Sequence, residues 1–575
     1  KIKASSVLLR FEGQALSTFM SKAQALADEL DPQFLWEVCG RDEFAFDALA
    51  REYFGHPPSP LEAAAVAIRL HASPIHFYKR GKGRYQAAPE ENLKAALAGL
   101  ERKRRQQEQV DAWAGELAAG RVPEAVGAKL DLLLFKPDKM SLEWRALDEA
   151  SARASMSPPR FLASTGVLGG PEDYFLRRFA FEHFPEGLSF PAHGPLDVPE
   201  GLPDGPARAF SIDDQETTEI DDAFSVEPIE GGWRIGVHIA APTVFFDRAH
   251  ALESIARERL STVYFPGGKI TMLPEEAVAA ATLAEGRRVP AASLYLDVRA
   301  DGFGIARVES RFDWIKVETN LRVGELERRL NEASLSAGRV DGAHGEALVI
   351  LWNLATRLKA LRGAGEDKAE RPDYTIRVAE GRVAIERRAR GTPVDTVVSE
   401  LMIHVNATWG KALAERGYAA LFRNQKGGKT RMEVEPGAHE WLGVSHYAWT
   451  SSPLRRYVDL ANQRQLHALL RQAPPAYESD ELAAAGRAFE ATYDAYAEHQ
   501  RLLERYWTVK YVQQEGIAEA AATVVRDDLV RLDDLPLVCR TIGLPGGTAP
   551  GEKVRVAFGE ADLWEAHLPC RYAGK

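Results

Sequence analysis

Cysteine is scarce. Only Cys39, Cys539 and Cys570 occur in 575 residues, too few for a disulfide framework and without metal-ligand spacing. Long apolar runs are missing too, and no stretch approaches the about 18 apolar residues that a membrane span requires. The opening residues, Lys1 to Gln14, lack the apolar block and small-residue cleavage site of a secretory leader. These absences set a cytoplasmic expectation with no membrane partner. No repeat of fixed period and no low-complexity segment stands out. A surplus of positive charge is also lacking: the formal net charge is −11. That argues against a chain that coats nucleic acid nonspecifically, while leaving room for a local basic channel.

What is present is ordinary folded-protein composition, 45% hydrophobic and 27% charged, over a length that calls for about three to five domains. Residues 1–89 read as short helices followed by a glycine hairpin, a winged helix-turn-helix pattern. Lys79, Arg80, Lys82 and Arg84 sit at its wing tip, as phosphate-gripping cations or a solvated turn. Residues 90–206 begin with a long amphipathic helix and end in a Pro/Gly-rich linker from Glu186 to Arg208. Residues 207–514 alternate strands with helices, and residues 515–575 carry short β-prone runs that predict a small barrel. The expected fold class is therefore multi-domain α+β, with a central mixed α/β domain and a C-terminal S1/OB-like β-barrel.

"SIDDQETTEIDDAF", Ser211 to Phe224, holds six acidic side chains in fourteen positions. Like charges so close raise one another's pKa. The stretch lacks the alternating oxygens and central glycine of a helix–loop–helix calcium site. Asp213, Glu219, Asp221 and Asp222 can converge only around cations, and hard oxygen ligands suit magnesium, with manganese as a substitute. A solvated acidic loop fits the composition equally well. Farther on, "SSPLRRYVDL" puts Ser451, Ser452, Arg455 and Arg456 just ahead of a helix, an arrangement that binds phosphate. Metal on one side and positive charge on the other is what phosphodiester chemistry needs.

Together these two motifs resemble the RNB catalytic domain of the ribonuclease II and ribonuclease R family. "VYFPGGKITMLP", "RPDYTIRV" and "VVSELMIHVNATWG" are also similar to that family, in its order. The resemblance implies a 3′→5′ exoribonuclease that hydrolyses single-stranded RNA processively to 5′-mononucleotides. It assigns Asp213 and Asp222 to magnesium, Asp221 to a second ion beside the scissile phosphate, and Arg455 to transition-state charge. Glu219 stands where the family usually has Asp, so its metal contact is expected to be longer or through water. Tyr264 matches a tyrosine that stacks on a base. Glu400 and Glu504 match glutamates near the ribose and the 3′ nucleotide, and Arg456 accompanies Arg455 on the RNA. The usual second aromatic near "PDY" is missing, since Thr375 and Ile376 follow Tyr374. Ala241 replaces a common Asp, and His238 reads as a packed strand residue. The family's two N-terminal cold-shock barrels are replaced by the helical, winged region, expected to help load structured RNA. A monomer is expected. Two other classes compete: a noncatalytic RNA-binding regulator that keeps the RNB shape, and a DNA-binding transcription factor suggested by the wing.

Overall fold

The computed structural model describes residues 7–206, 208–363 and 373–574. Arg371 and Pro372 of "RPDYTIRV" therefore lie outside the described residues. The chain divides into two compact units, Lys1–Gly170 and Pro171–Lys575.

In the first unit, helices Leu16–Glu29, Pro32–Val38, Phe46–Phe54 and Pro60–Ala72 precede a small sheet. The last of these starts where chemistry dictates. Ser59 and Glu62 cap each other's backbone N–H groups, and Pro60 occupies the first turn, where no N–H is needed. Strand Arg84–Ala87 lies in the middle of the sheet, between Phe77–Gly81 and the short Phe44–Ala45. Gly83 sits at φ +68°, and a Cβ there would meet the Phe46 ring at 2.9 Å. Only glycine therefore lets the hairpin close on the core formed by Phe46, Leu49, Val66, Leu70, Phe77 and Tyr85. The predicted long helix is Glu90–Ala118, and it packs on Leu142–Arg153.

The second unit is built around a closed barrel. Strands Ala209–Asp213, Asp222–Ile229, Gly232–Ala240, Arg288–Arg299 and Ile305–Arg322 form it. Ile305–Arg322 closes the ring by pairing antiparallel with Arg288–Arg299 and parallel with Ala209–Asp213. Arg288–Arg299 is buried on both faces over most of its length, which is why it reads as a continuous apolar run rather than an alternation. Helices Gly345–Leu361 and Pro393–Glu415 cover one side through Leu348, Leu351, Leu401, Val405 and Trp409. His238 is fully buried between Ser225 (2.9 Å) and Ser293 (2.8 Å).

The Pro/Gly-rich stretch before the barrel is extended, but it is not a free linker. Arg259 stacks over Phe190 at 3.8 Å and donates to the Leu188 carbonyl at 2.7 Å. Asp197 N–H binds Phe245 O, and Gly205 N–H binds Trp314 O, each at 2.7 Å. Prolines remove local hydrogen-bond donors, so such a segment finds its partners across the surface. A second closed barrel ends the chain, with strands Glu519–Arg526, Leu529–Leu532, Val538–Ile542, Lys553–Phe558 and Cys570–Gly574. Alternating inward residues such as Val524, Val530, Val554 and Val556 fill it. No helix among the described residues is long and apolar enough to cross a membrane.

Candidate nucleic-acid and phosphate site

The acidic loop joins two neighbouring barrel strands, so Asp213 ends one and Asp222 begins the next. Asp221 is held between them by its own backbone, whose carbonyl accepts from Ala240 N–H at 2.7 Å. The partner segment is fixed as firmly. Asn406 accepts from Thr450 N–H at 2.8 Å and donates to Ser451 Oγ at 3.1 Å. Asp459, in the first turn of helix Tyr457–Leu470, accepts from Ser452 N–H at 2.9 Å. The loop therefore presents Arg455 on a rigid base.

Asp221 and Arg455 meet. Arg455 Nε lies 3.0 Å from Asp221 Oδ2, and the Leu454 N–H donates to Oδ1 at 3.0 Å. A further guanidinium nitrogen reaches Ser452 Oγ at 3.0 Å. Burial pushes the Asp221 carboxyl up to about 7, against the opposing pull of Arg455. Burial also works against the Arg455 charge, and Asp221, Tyr264 and Asp459 together more than offset it. Asp213 is pushed up to about 6 by burial, with Ser211 donating to it and Arg322 nearby pulling the other way. Asp222 is raised well above the usual range, first by burial and then by Asp213 and Asp221. Its Oδ2 is buried with no hydrogen-bond partner.

The four carboxylates are divided rather than gathered. Among the described residues, no group of three or more acidic, His or Cys side chains is close enough to hold an ion jointly. Asp221 is drawn to Arg455, and Glu219 is drawn away altogether. Glu219 accepts from the Tyr264 hydroxyl at 2.6 Å and from Lys269 Nζ at 3.0 Å, with Thr262 Oγ1 at 3.4 Å. The longer side chain that replaces Asp thus reaches a tyrosine and a lysine. Asp213 and Asp222 are the pair left to each other, with an unpartnered buried oxygen that suits a hard divalent cation.

Tyr264 is half-exposed, and burial together with Glu219 raises its hydroxyl. It borders a cavity of about 100 Å³ shared with Thr262, Arg455, Tyr493, Tyr496 and Gln500. Tyr493 and Gln500 come from the long helix Ser479–Gln514, where their spacing looks like a solvated face. Sequence reasoning missed both, and it also passed over Lys269 inside "VYFPGGKITMLP". The one available signal was a lysine in an otherwise apolar and glycine-rich motif.

Of three further expected contacts, Glu400 is committed elsewhere, while Arg456 lines the cavity beside Tyr264 and Arg455 and Glu504 bonds Gln500 on its wall. Glu400 is buried and held bidentate by Arg362, at 2.7 and 2.5 Å, so neither oxygen is offered to a ribose. Arg456 forks onto Asp459 at 2.7 and 2.8 Å and stacks over Trp449 at 4.0 Å. Glu504 lies on the long helix and accepts from Gln500 at 2.8 Å. In the first unit, Arg84 pairs with Glu43 and Arg80 donates to Gln86 at 2.9 Å. Lys79, on strand Phe77–Gly81, and Lys82, on the turn that follows, are both exposed. Tyr374 donates to the Asp533 carbonyl at 3.0 Å, so it braces the C-terminal barrel.

The barrel's acidic loop thus faces an arginine-bearing turn. Residues 206–433 and 428–472 match the RNB domain, so the central part of the chain is an RNB domain. It is 26% identical over 392 residues to "Uncharacterized ribonuclease sll1290" of Synechocystis sp., covering 61% of this chain and 57% of that one. It is 25% identical over 333 residues to "Exoribonuclease 2" of Aeromonas hydrophila, covering 46% and 48%. The chain thus spans about half the length of the curated relatives it matches. Among solved structures, an active-site mutant of the Dss1 exoribonuclease from Candida glabrata matches with a TM-score of 0.65 at 15% identity, covering 97% of this chain and 86% of that one. RNase R of Mycoplasma genitalium matches at 0.56 and 16%, covering 65% and 72%. Yeast Ssd1, a pseudonuclease, matches at 0.51 and 15%, covering 67% and 57%. At these identities the likeness is one of fold.

Proposed function

We propose that the chain is a 3′→5′ exoribonuclease that hydrolyses single-stranded RNA processively to 5′-mononucleotides. The observation that carries it is Arg455, fixed by Asp221 beside the Asp213–Asp222 pair. Asp213 and Asp222 would hold magnesium, or manganese in its place, which when bound supplies an activated water and neutralises phosphate charge. Asp221 keeps Arg455 aimed, and Arg455 takes up the charge that develops on the phosphate. The Tyr264 ring gives a base a surface to stack on whatever its identity. Relatives named as exoribonucleases, and RNase R structures holding single- and double-stranded RNA, support this reading.

The four-part division at residues 89, 206 and 514 belongs to the same proposal. The winged helix-turn-helix of the first part would load RNA with duplex regions, and the C-terminal barrel would hold single strands as S1/OB modules do. A noncatalytic RNA-binding regulator is the second reading, favoured by the divided carboxylates and by the likeness to a pseudonuclease. A digest of 5′-labelled RNA with magnesium separates them. Shortening from the 3′ end by wild type, and not by Asp221→Asn or on the matching DNA, supports the exoribonuclease. Tight RNA binding without cleavage supports the regulator.

A further inference from the structure

Trp441 is 71% exposed, the most exposed of the large aromatic side chains in the described residues. It is not on a loose loop. Its backbone N–H donates to Gln425 Oε1 at 2.7 Å, Glu440 backbone N–H donates to Gln425 O at 3.2 Å, and the Glu440 carboxylate accepts from Gly427 N–H at 2.7 Å. These bonds strap the turn to the hairpin of strands Phe422–Lys426 and Lys429–Glu433. The backbone of the turn is fixed, and the indole it carries stands in water.

The hairpin beside it is charged in an unusual way. Lys426 and Lys429 are direct cross-strand partners, and Arg431, opposite Asn424, lies on the same face. Like charges placed directly opposite each other oppose folding. The nearby carboxylates are not ion-paired with these cations. Glu433 accepts from Asn424 at 2.7 Å, and Glu440 is spent on the turn. Three cations on one face of the hairpin and an exposed ring on the turn tied to its edge fit a polyanion with flat bases.

The surface connects to the active-site segment. Arg423, on the hairpin's other face, stacks over Trp449 at 4.2 Å, and Arg456, next to Arg455, stacks over the same ring at 4.0 Å. From Arg423 to the tip is three residues, about 10 Å of strand. The two stretches that match the RNB domain, 206–433 and 428–472, meet on this hairpin.

We propose that Trp441, with Lys426, Lys429 and Arg431, forms a stacking and phosphate-binding site for single-stranded RNA, upstream of the end being cleaved. The proposal rests on the ribonuclease reading above. The flat ring takes a base without sequence preference, and the cations follow the backbone.

The test is binding of 5′-labelled oligoribonucleotides, from about 4 to about 16 residues long, to the full chain carrying Asp221→Asn. Trp441→Ala, Trp441→Phe and the pair Lys426→Ala with Lys429→Ala are compared in that background, with melting curves to confirm folding. Trp441→Ala is expected to weaken the long oligonucleotides about 5- to 150-fold and leave the shortest unchanged, while Trp441→Phe retains most of the affinity. The lysine pair is expected to reduce the salt slope by about 1.4, at about 0.7 per phosphate on a single strand. Wild-type affinity and slope at every length in all variants would overturn the site and leave the ribonuclease reading standing. Failure of the unsubstituted Asp221→Asn chain to bind RNA at all would overturn both.

Discussion

The Tyr264 hydroxyl donates to Glu219 at 2.6 Å, and Lys269 closes on the same carboxylate at 3.0 Å. Glu219 therefore fixes the ring offered to a base. Glu219→Ala is expected to raise KM for RNA by about tenfold, the effect of one lost hydrogen bond to a charged group, and to change kcat much less. Steady-state kinetics on a single-stranded substrate measure that split, and equal loss in kcat and kcat/KM would instead place Glu219 at the reacting phosphate.

Lys269→Met strands a buried carboxylate. Glu219 keeps Tyr264 and Thr262 as partners, and Lys269 is part-exposed, so the expected loss is about 1–3 kcal/mol rather than the full cost of a broken buried pair. Denaturant midpoints give the value. The double variant Glu219→Gln with Lys269→Met should recover part of it, because no charge remains to be compensated.

Asp221→Asn removes the charge that aims Arg455 but keeps the side chain's shape. A drop of about 10²–10³ in kcat is expected, the scale of a lost transition-state donor, with RNA affinity unchanged or higher because a carboxylate repels phosphate. Single-turnover cleavage and binding of the same oligonucleotide check both halves.

Divalent-cation binding should release protons. Asp213 is raised to about 6 from an ordinary 3.8, and Asp222 is raised well above that ordinary value. In the metal-free fold these carboxylates hold protons that the unfolded chain has lost, so their contribution to stability is present at low pH and falls as pH rises from 3.8 through the raised values. An ion must displace the protons, and its affinity should decline as pH drops through about 6. Calorimetry of manganese binding in two buffers of different ionisation heat counts the protons directly.

His238 works in the opposite direction. Burial lowers it from 6.5 to about 4. The unfolded chain binds its proton first, so stability is full above 6.5 and is lost as pH falls toward 4, by about 3 kcal/mol at the limit. Urea midpoints for wild type and His238→Gln at about pH 7.5 and about pH 5 should differ between the two proteins chiefly by slope. Parallel curves would show that His238 is not the titrating group.

The elements that local chemistry governs were legible in the sequence. Ser59, Pro60 and Glu62 announce a helix start, Gly81 and Gly83 a hairpin, and the alternation in "KVRVAF" a barrel strand. Asp213, Asp222 and Arg455 were legible as a motif. Partners chosen over long distances were not. Arg362 lies 38 positions from Glu400 and takes both of its oxygens, and Glu219 finds Lys269 50 positions away. A carboxylate's pattern in sequence shows that it needs a cation, but not whether that cation is a metal or a side chain. Tyr493 was hidden for another reason: on a 36-residue helix it follows the same spacing as solvated positions.

Asp221 and Arg455 are 234 positions apart in the chain. On a ribosome adding about 5–20 residues per second, the acidic half of the site exists for about 10–50 s before its arginine is made. A chain interrupted anywhere in that interval has the carboxylates and the first barrel strands but lacks Arg455, the partner that Asp221 binds. The long separation works as a timing device: the site is complete only when most of the chain has been synthesised.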